Sequence, residues 1–500
     1  MLRRQWLTCI CLSLLYSQLL CELEGDPIEI VGDFSNLRPH DSEFSILIEK
    51  LIWPEAITFV SSWLRVLSPS PGKIPAQPDA LGCLGGLETS SASRVERLGH
   101  LLVLLRLVDR SDSDFQVEGF VCPSEVEFAD GRPRVAAVTF NAARLRKSAE
   151  GVRAAVEMTI EALLKTLLFN PELLRRAPAG VTKDGELTMF SGPNVLEWGR
   201  AHFDCDEFEG MPAAAEGRGF DRRFAGDEVL TPGPKQRGVV SRLTMAVLRD
   251  SGWFDVDFSK AEPNAWGRDA GCEFLAPGCN AKKFAEFCDK SDDSAAGCAS
   301  DQRGKARCLQ IGDCNLRVAN VGMGAACGGG FFASGEGIVG PRLRGEFFGG
   351  FARCFEVQAS WMTGRSAGCL MSFCSDDLKR IYVVGTRGTT VCDRPGLAIA
   401  LETYTLLCPD PKKFCATSGL TSCPEDCGGR GRCNYRRECV CDFAFEGIAC
   451  EKLKDFAKIL PSSLAKKLMQ DIVPEFDMTI LDAYVSHLSL VLISIFAILA

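Results

Sequence analysis

Histidine is the side chain best suited to hold zinc or pass a proton near neutral pH, and this chain has four: His40, His100, His202 and His487. No two stand four residues apart. The paired imidazoles of a His-Glu-x-x-His zinc site, one helical turn apart, are therefore encoded nowhere. A zinc site built from His40, His100 and His202 would require the fold to gather them from distant segments. Cysteine is abundant, at 25 residues, which means metal binding in a reducing compartment and disulfides in an oxidising one. Glu161 and Lys165 stand at i and i+4 with the acid on the N-terminal side, the favourable order for an ion pair on a helix. Glycine-rich stretches, Gly328-Gly329-Gly330 and Gly349-Gly350, are followed by no Gly-Lys-Ser/Thr and read as turns and bulges, not as a phosphate cradle.

The elements that must position these residues can be traced along the chain. The 500 residues, 46% apolar and 24% charged, predict several globular domains. A net charge of −9 gives nucleic-acid binding no support. Arg3 and Arg4 precede an apolar run from Trp6 to Leu20, the pattern of a secretory signal at 1–21. Removing Cys9, Cys11 and Cys21 with that signal leaves 25 − 3 = 22 cysteines, an even number consistent with full pairing after export. A strand is expected around Pro27–Phe34 and another at Val135–Phe140; a helix interrupted at Pro54 is expected over about 42–66. Val156, Ile160, Leu163, Leu164, Leu167 and Leu168 recur with helical period between Val152 and Phe169. They predict a mostly buried helix that carries Glu161 and Lys165 and is closed by Pro171. Closely spaced cysteines from Cys272 to Cys314 predict a stapled region. The chain finishes on thirteen apolar residues, 488–500, short for a membrane span. The choice between a tail exchanged for a glycolipid and a short membrane segment stays open.

Cys423, Cys427, Cys433, Cys439, Cys441 and Cys450 end in Cys-x-Cys-x5-Gly-x2-Cys, with Gly447 at the glycine. This resembles an epidermal-growth-factor-like module. Counting alone leaves 15 pairings open; the resemblance implies Cys423–Cys433, Cys427–Cys439 and Cys441–Cys450. A larger resemblance rests on ordered blocks along the chain: Pro27-Ile28 to Leu37; Arg132-Pro133 to Asn141; Ile160-Glu161-Ala162-Leu163-Leu164-Lys165-Thr166-Leu167-Leu168-Phe169-Asn170-Pro171; Pro193 to Leu196 with Ala201-His202-Phe203-Asp204-Cys205; and Leu243-Thr244 through Asp250-Ser251-Gly252-Trp253-Phe254 to Cys272. Together they resemble the leishmanolysin metalloproteases. That resemblance implies an α+β, metzincin-like domain, a twisted sheet over an active-site helix, followed by a cysteine-rich region. It also implies zinc held by His-Glu-x-x-His and a third downstream His, above a Met turn.

Every one of those positions has changed. The first His falls on Glu161, the catalytic Glu on Ala162, the second His on Lys165, the third His on Gly219 and the Met on Leu230. An ammonium has no lone pair for a metal and Ala162 offers no base. Glu161 and Lys165 read either as an ion pair across the lost metal position or as two drifted, solvated residues. The expected layout is signal 1–21, protease-like domain 22–270, cysteine-rich domain 271–420, growth-factor-like module 421–451, linker 452–487 and hydrophobic tail 488–500. With its mature-type block beginning at Pro27, the family's inhibitory segment is expected to be missing. The leading expectation is a catalytically inactive, membrane-associated surface protein that binds a protein or cell-surface ligand and needs no cofactor. The alternatives are a zinc endopeptidase with an atypical ligand set and a structural coat component. Restoring Glu161→His, Ala162→Glu, Lys165→His and Gly219→His together is expected to rebuild three ligands and a base.

Overall fold

The computed structural model describes residues 23–37, 42–67, 73–74, 97–121, 130–177, 189–214, 217–233, 235, 237–289, 297–319, 326–328, 346–358, 366–385, 388–401, 403–418 and 423–472. The signal, the hydrophobic tail, His40, His487, Cys83 and Cys122 lie outside them. No described helix is long and apolar enough to cross a membrane.

The N-terminal half is built on a four-stranded sheet. Its strands are β2 (Ile30–Asn36), β4 (Leu101–Val108), β5 (Val117–Val121) and β6 (Val135–Asn141), in the order β2-β4-β6-β5. The first three run parallel and β5 is antiparallel to β6. All seven residues of β6, Val-Ala-Ala-Val-Thr-Phe-Asn, are buried, which explains the unbroken apolar run: a central strand is covered on both faces. A smaller sheet pairs β1 (Asp26–Pro27) and β7 (Phe254–Val256) with β3 (Leu64–Val66).

The expected helix at 42–66 is corrected in two ways. It runs as α1 (Ser42–Leu47), a π-type turn (Ile48–Ile52) and α2 (Trp53–Ser61), and Pro54 does not interrupt it. Proline stands directly after the π-type turn, where Trp53 N donates to the Ile48 carbonyl, and the helical run continues through it. The helix stops before β3, whose three residues are too few for alternation to show in the sequence.

The predicted buried helix is α3 (Ala149–Leu167). The Ser148 side chain caps it by accepting from Gly151 N, and twelve of its residues are buried. It packs on the sheet so closely that a Cβ on Gly119 of β5 would stand 2.5 Å from the Ala162 carbonyl oxygen. Pro171 does not end α3 itself but opens α4 (Pro171–Arg176), capped by Asn170. Beyond it lie α5 (Pro193–Phe203), α6 (Arg222–Ala225) and α7 (Arg242–Asp250). The Asp250 carboxylate holds the start of α5 by accepting from Asn194 N at 2.9 Å and Val195 N at 3.0 Å.

The second half is antiparallel β structure held by disulfides. A hairpin, Lys305–Ile311 with Cys314–Ala319, precedes a six-stranded sheet built from residues 352–407. Ten disulfides join described residues, among them Cys205–Cys272, Cys423–Cys433, Cys427–Cys439 and Cys441–Cys450. The stretch expected as a linker, 452–487, is folded over 452–472. The helix Ser462–Ile472 buries Leu464, Leu468 and Ile472 in the same core as α3, and the Asp471 carboxylate accepts from Ala149 N at the start of α3. Apolar residues at helical spacing, not a flexible composition, govern that stretch.

Candidate functional site

The turn spacing of α3 brings Glu161 and Lys165 to one partly exposed face, while Ala162 points into the core at 3% exposure. Lys165 Nζ donates to Glu161 Oε1 at 2.7 Å, so the pair forms. A third charge arrives from the downstream loop. Lys235 Nζ lies 3.7 Å from Glu161 Oε2 and donates to the Val229 carbonyl at 2.9 Å and to the Thr231 carbonyl. Its side chain is only 12% exposed. Burial pulls its pKa below the usual lysine value; the Glu161 carboxylate opposes that shift. One carboxylate thus faces two ammonium groups, each delivered by a different element.

The loop that presents Lys235 is itself firmly built. Asp221 caps α6 by accepting from Arg223 N. The buried Arg222 guanidinium donates to Asp227 Oδ1 at 2.9 Å and to the Pro232 carbonyl at 3.1 Å. Glu228, wholly buried, accepts from Ser241 N, Thr244 Oγ1 and Asn264 Nδ2 at 3.0, 2.6 and 3.2 Å. These bonds tie the loop to the first turn of α7. Burial nevertheless raises the Glu228 carboxyl to about 7, and the three donors oppose that rise.

Gly219 and Leu230 meet in this loop. Phe220 N donates to the Leu230 carbonyl at 3.1 Å, and Leu230 is buried. Gly219 has φ of +148°, and a Cβ placed on it would lie 1.9 Å from that same carbonyl oxygen. Phe220 packs against Phe169, at the end of α3, and Phe190, with ring centroids 5.6 and 5.2 Å apart. The loop is therefore fixed to α3 by aromatic contacts and a lysine. The expectation that four substitutions rebuild the ligand set is corrected at two of them: position 219 has no room for a side chain, and a glutamate at 162 would enter the core.

The histidines occupy separate places. His100 Nδ1 accepts from Glu29 N at 3.0 Å at the start of β4, and burial, with Arg132, lowers its pKa. His202, on α5, stacks on Trp198 at 4.4 Å and bonds through Nε2 to the Trp266 carbonyl at 2.8 Å. Burial holds it neutral, with its pKa brought down to about 4. Among the described residues, three metal-ligating side chains converge only at Cys423, Cys427 and Cys439, whose sulfurs are in disulfides.

Sequence reasoning reached Glu161 and Lys165 because their contact is local. It missed Lys235, Arg222, Asp227 and Phe220. The only available signal was Pro232-Gly233-Pro234 before Lys235, a turn able to send the following residue back toward α3.

The leishmanolysin family model matches residues 104–324, which include α3 and the whole of this loop. A leishmanolysin-like peptidase of Drosophila pseudoobscura pseudoobscura is 32% identical over 143 residues, covering 25% of this chain and 21% of the relative. Leishmanolysin of Leishmania donovani is 28% identical over 206 residues, 36% of this chain and 35% of its own. A leishmanolysin-like peptidase of Caenorhabditis briggsae is 36% identical over 99 residues, 19% and 15% of the two chains. The chain spans about a third or less of the length of these relatives. The stretch 104–324, which holds α3, the downstream loop and α7, is thus similar to the leishmanolysin family.

Proposed function

We propose that this chain is a catalytically inactive leishmanolysin-family protein of the cell surface, whose protease scaffold and growth-factor-like module serve adhesion or ligand capture. The observation that carries the reading is the Glu161 carboxylate lying between the ammonium groups of Lys165 and Lys235. The donor set does not fit zinc. Of the positions matching the family's ligands and base, Glu161 alone offers a lone pair, and two neighbouring cations would repel a third. Ala162, at the position of the base, cannot take a proton from water. The Lys235 ammonium bonds the loop carbonyls of Val229 and Thr231 and lies against the helix carboxylate, so one lysine joins the two elements a bound metal would have joined. Export, the apolar tail and the six closing cysteines support a surface location and an epidermal-growth-factor-like module.

The test is elemental analysis of the purified chain together with hydrolysis of a generic protein substrate. The reading expects zinc well below one ion per molecule and no cleavage. Stoichiometric, chelator-removable zinc with chelator-sensitive cleavage would establish instead a zinc endopeptidase with an atypical ligand set.

A further inference from the structure

A cavity of about 430 Å³ opens away from α3, between α5, the start of α7 and the turn that carries Tyr435. Its size is in the range of small-ligand sites. The turn is anchored in place: Tyr435 N donates to the Ala261 carbonyl at 3.2 Å, Arg436 N to the Ser259 carbonyl at 2.9 Å, and Lys260 Nζ to Glu438 Oε2 at 2.5 Å. The cavity is therefore a fixed feature of the packed halves.

Two kinds of group line it. Trp198 and Tyr435 supply flat aromatic surface; Trp198 is stacked on the neutral His202, and Tyr435 is held by the Arg242 guanidinium 3.9 Å above its ring. Glu197, Arg242, Arg268 and Asp269 supply unspent polar capacity. Among the described residues Glu197 has no hydrogen-bond or ion-pair partner. Arg242 gives one long bond, Nε to the Phe258 carbonyl at 3.4 Å. Among the described residues Arg268 has one ion-pair partner, Asp269, at 3.8 Å. Donors and acceptors are thus interleaved around aromatic walls with no net charge, two acids against two guanidiniums.

We infer that this cavity is a carbohydrate-binding site that takes the end of a surface glycan, the ligand chemistry of the adhesive role proposed above, on which it rests. A pyranose has an apolar face of C–H groups that lies on an aromatic ring and a rim of hydroxyls that both donate and accept. The hydroxyls donate to Glu197 and Asp269 and accept from Arg268 and Arg242. An anionic ligand such as a phosphate would be opposed by the two carboxylates, and a purely apolar one would leave four charged groups desolvated without partners. A polyhydroxylated ring satisfies both sets.

The experiment applies the full secreted chain to an array of neutral and acidic oligosaccharides and to cultured cells before and after enzymatic removal of surface glycans. Glu197→Ala and Arg268→Ala are combined because both side chains line the cavity and neither is fully buried; an unchanged unfolding temperature certifies the variant's fold. The expected result is binding to a defined set of glycans, weakened at least tenfold in the double variant, with cell adherence lost after deglycosylation. Tyr435→Phe, which keeps the ring, is expected to retain binding. Glycan binding that is equal in wild type and double variant overturns the site. Adherence that survives deglycosylation overturns the carbohydrate reading and leaves an adhesive protein with a protein ligand. A chain that binds no glycan and no cell overturns both this inference and the adhesive role.

Discussion

Replacement of Gly219 by alanine tests how tightly the downstream loop is packed at the Leu230 carbonyl. At φ of +148° an L-residue occupies backbone space that is nearly glycine's alone, a strain of about 1–3 kcal/mol. The new methyl would start 1.9 Å from the Leu230 oxygen, where carbon atoms normally keep about 3.5 Å. Relief requires the Leu230 carbonyl to move, which overpacks the loop at a cost of about 1–3 kcal/mol and breaks the bond from Phe220 N, for about 1 kcal/mol more. The total, about 3–7 kcal/mol, rivals the whole stability of many domains, about 5–15 kcal/mol. Urea unfolding followed by tryptophan fluorescence reads it. With a slope of about 2 kcal/mol per molar, the Gly219→Ala midpoint is expected to fall by more than about 1 M. A midpoint equal to that of the parent would refute the argument. The same reasoning applies to the fourfold variant Glu161→His, Ala162→Glu, Lys165→His, Gly219→His, which also buries a carboxylate at a position 3% exposed. It is expected to fold poorly and to bind no zinc; a folded fourfold variant holding stoichiometric zinc would show that the loop can be re-formed around a metal.

Lys235→Met keeps the apolar stem and removes the ammonium, leaving the Val229 and Thr231 carbonyls without their donor; a loss of about 1–3 kcal/mol is expected in the same unfolding assay, and no loss would mean that the lysine is a passive neighbour. Glu228, raised to about 7, holds its proton more tightly when folded, so its contribution is complete below the ordinary glutamate value and is lost as pH rises toward 7; Glu228→Gln is expected to flatten that slope, and an unaltered pH–stability curve would count against it. His202, lowered to about 4, acts in the opposite sense: its unfolded form takes up a proton first, so stability falls as pH drops from about 6.5 toward 4, a loss expected to disappear in His202→Gln. Twenty cysteines are paired in the ten described disulfides; thiol labelling of the denatured, unreduced mature chain, with its 22 cysteines, is expected to find none free, and two labelled cysteines would contradict it.

Residue order alone specifies the parts of this protein whose physics is local. The position and extent of α3 follow from apolar residues repeating at one helical period, and the Glu161–Lys165 contact from their one-turn spacing on that helix. The absence of a His-x3-His pair needs no fold at all. Short elements were hidden: three residues of β3 cannot display alternation, and the helix at 462–472 was obscured by the polar residues on its outer face. The company these residues keep is set by packing between distant segments. Lys235 reaches Glu161 only because Arg222, Glu228 and the Phe169–Phe190–Phe220 cluster fold the downstream loop against α3. Position 219 could be read as a glycine, but not as one whose Cα hydrogen faces a carbonyl where a Cβ would have to stand. Both outcomes depend on contacts between segments far apart along the chain, where no residue's identity specifies its partner until the intervening chain has packed.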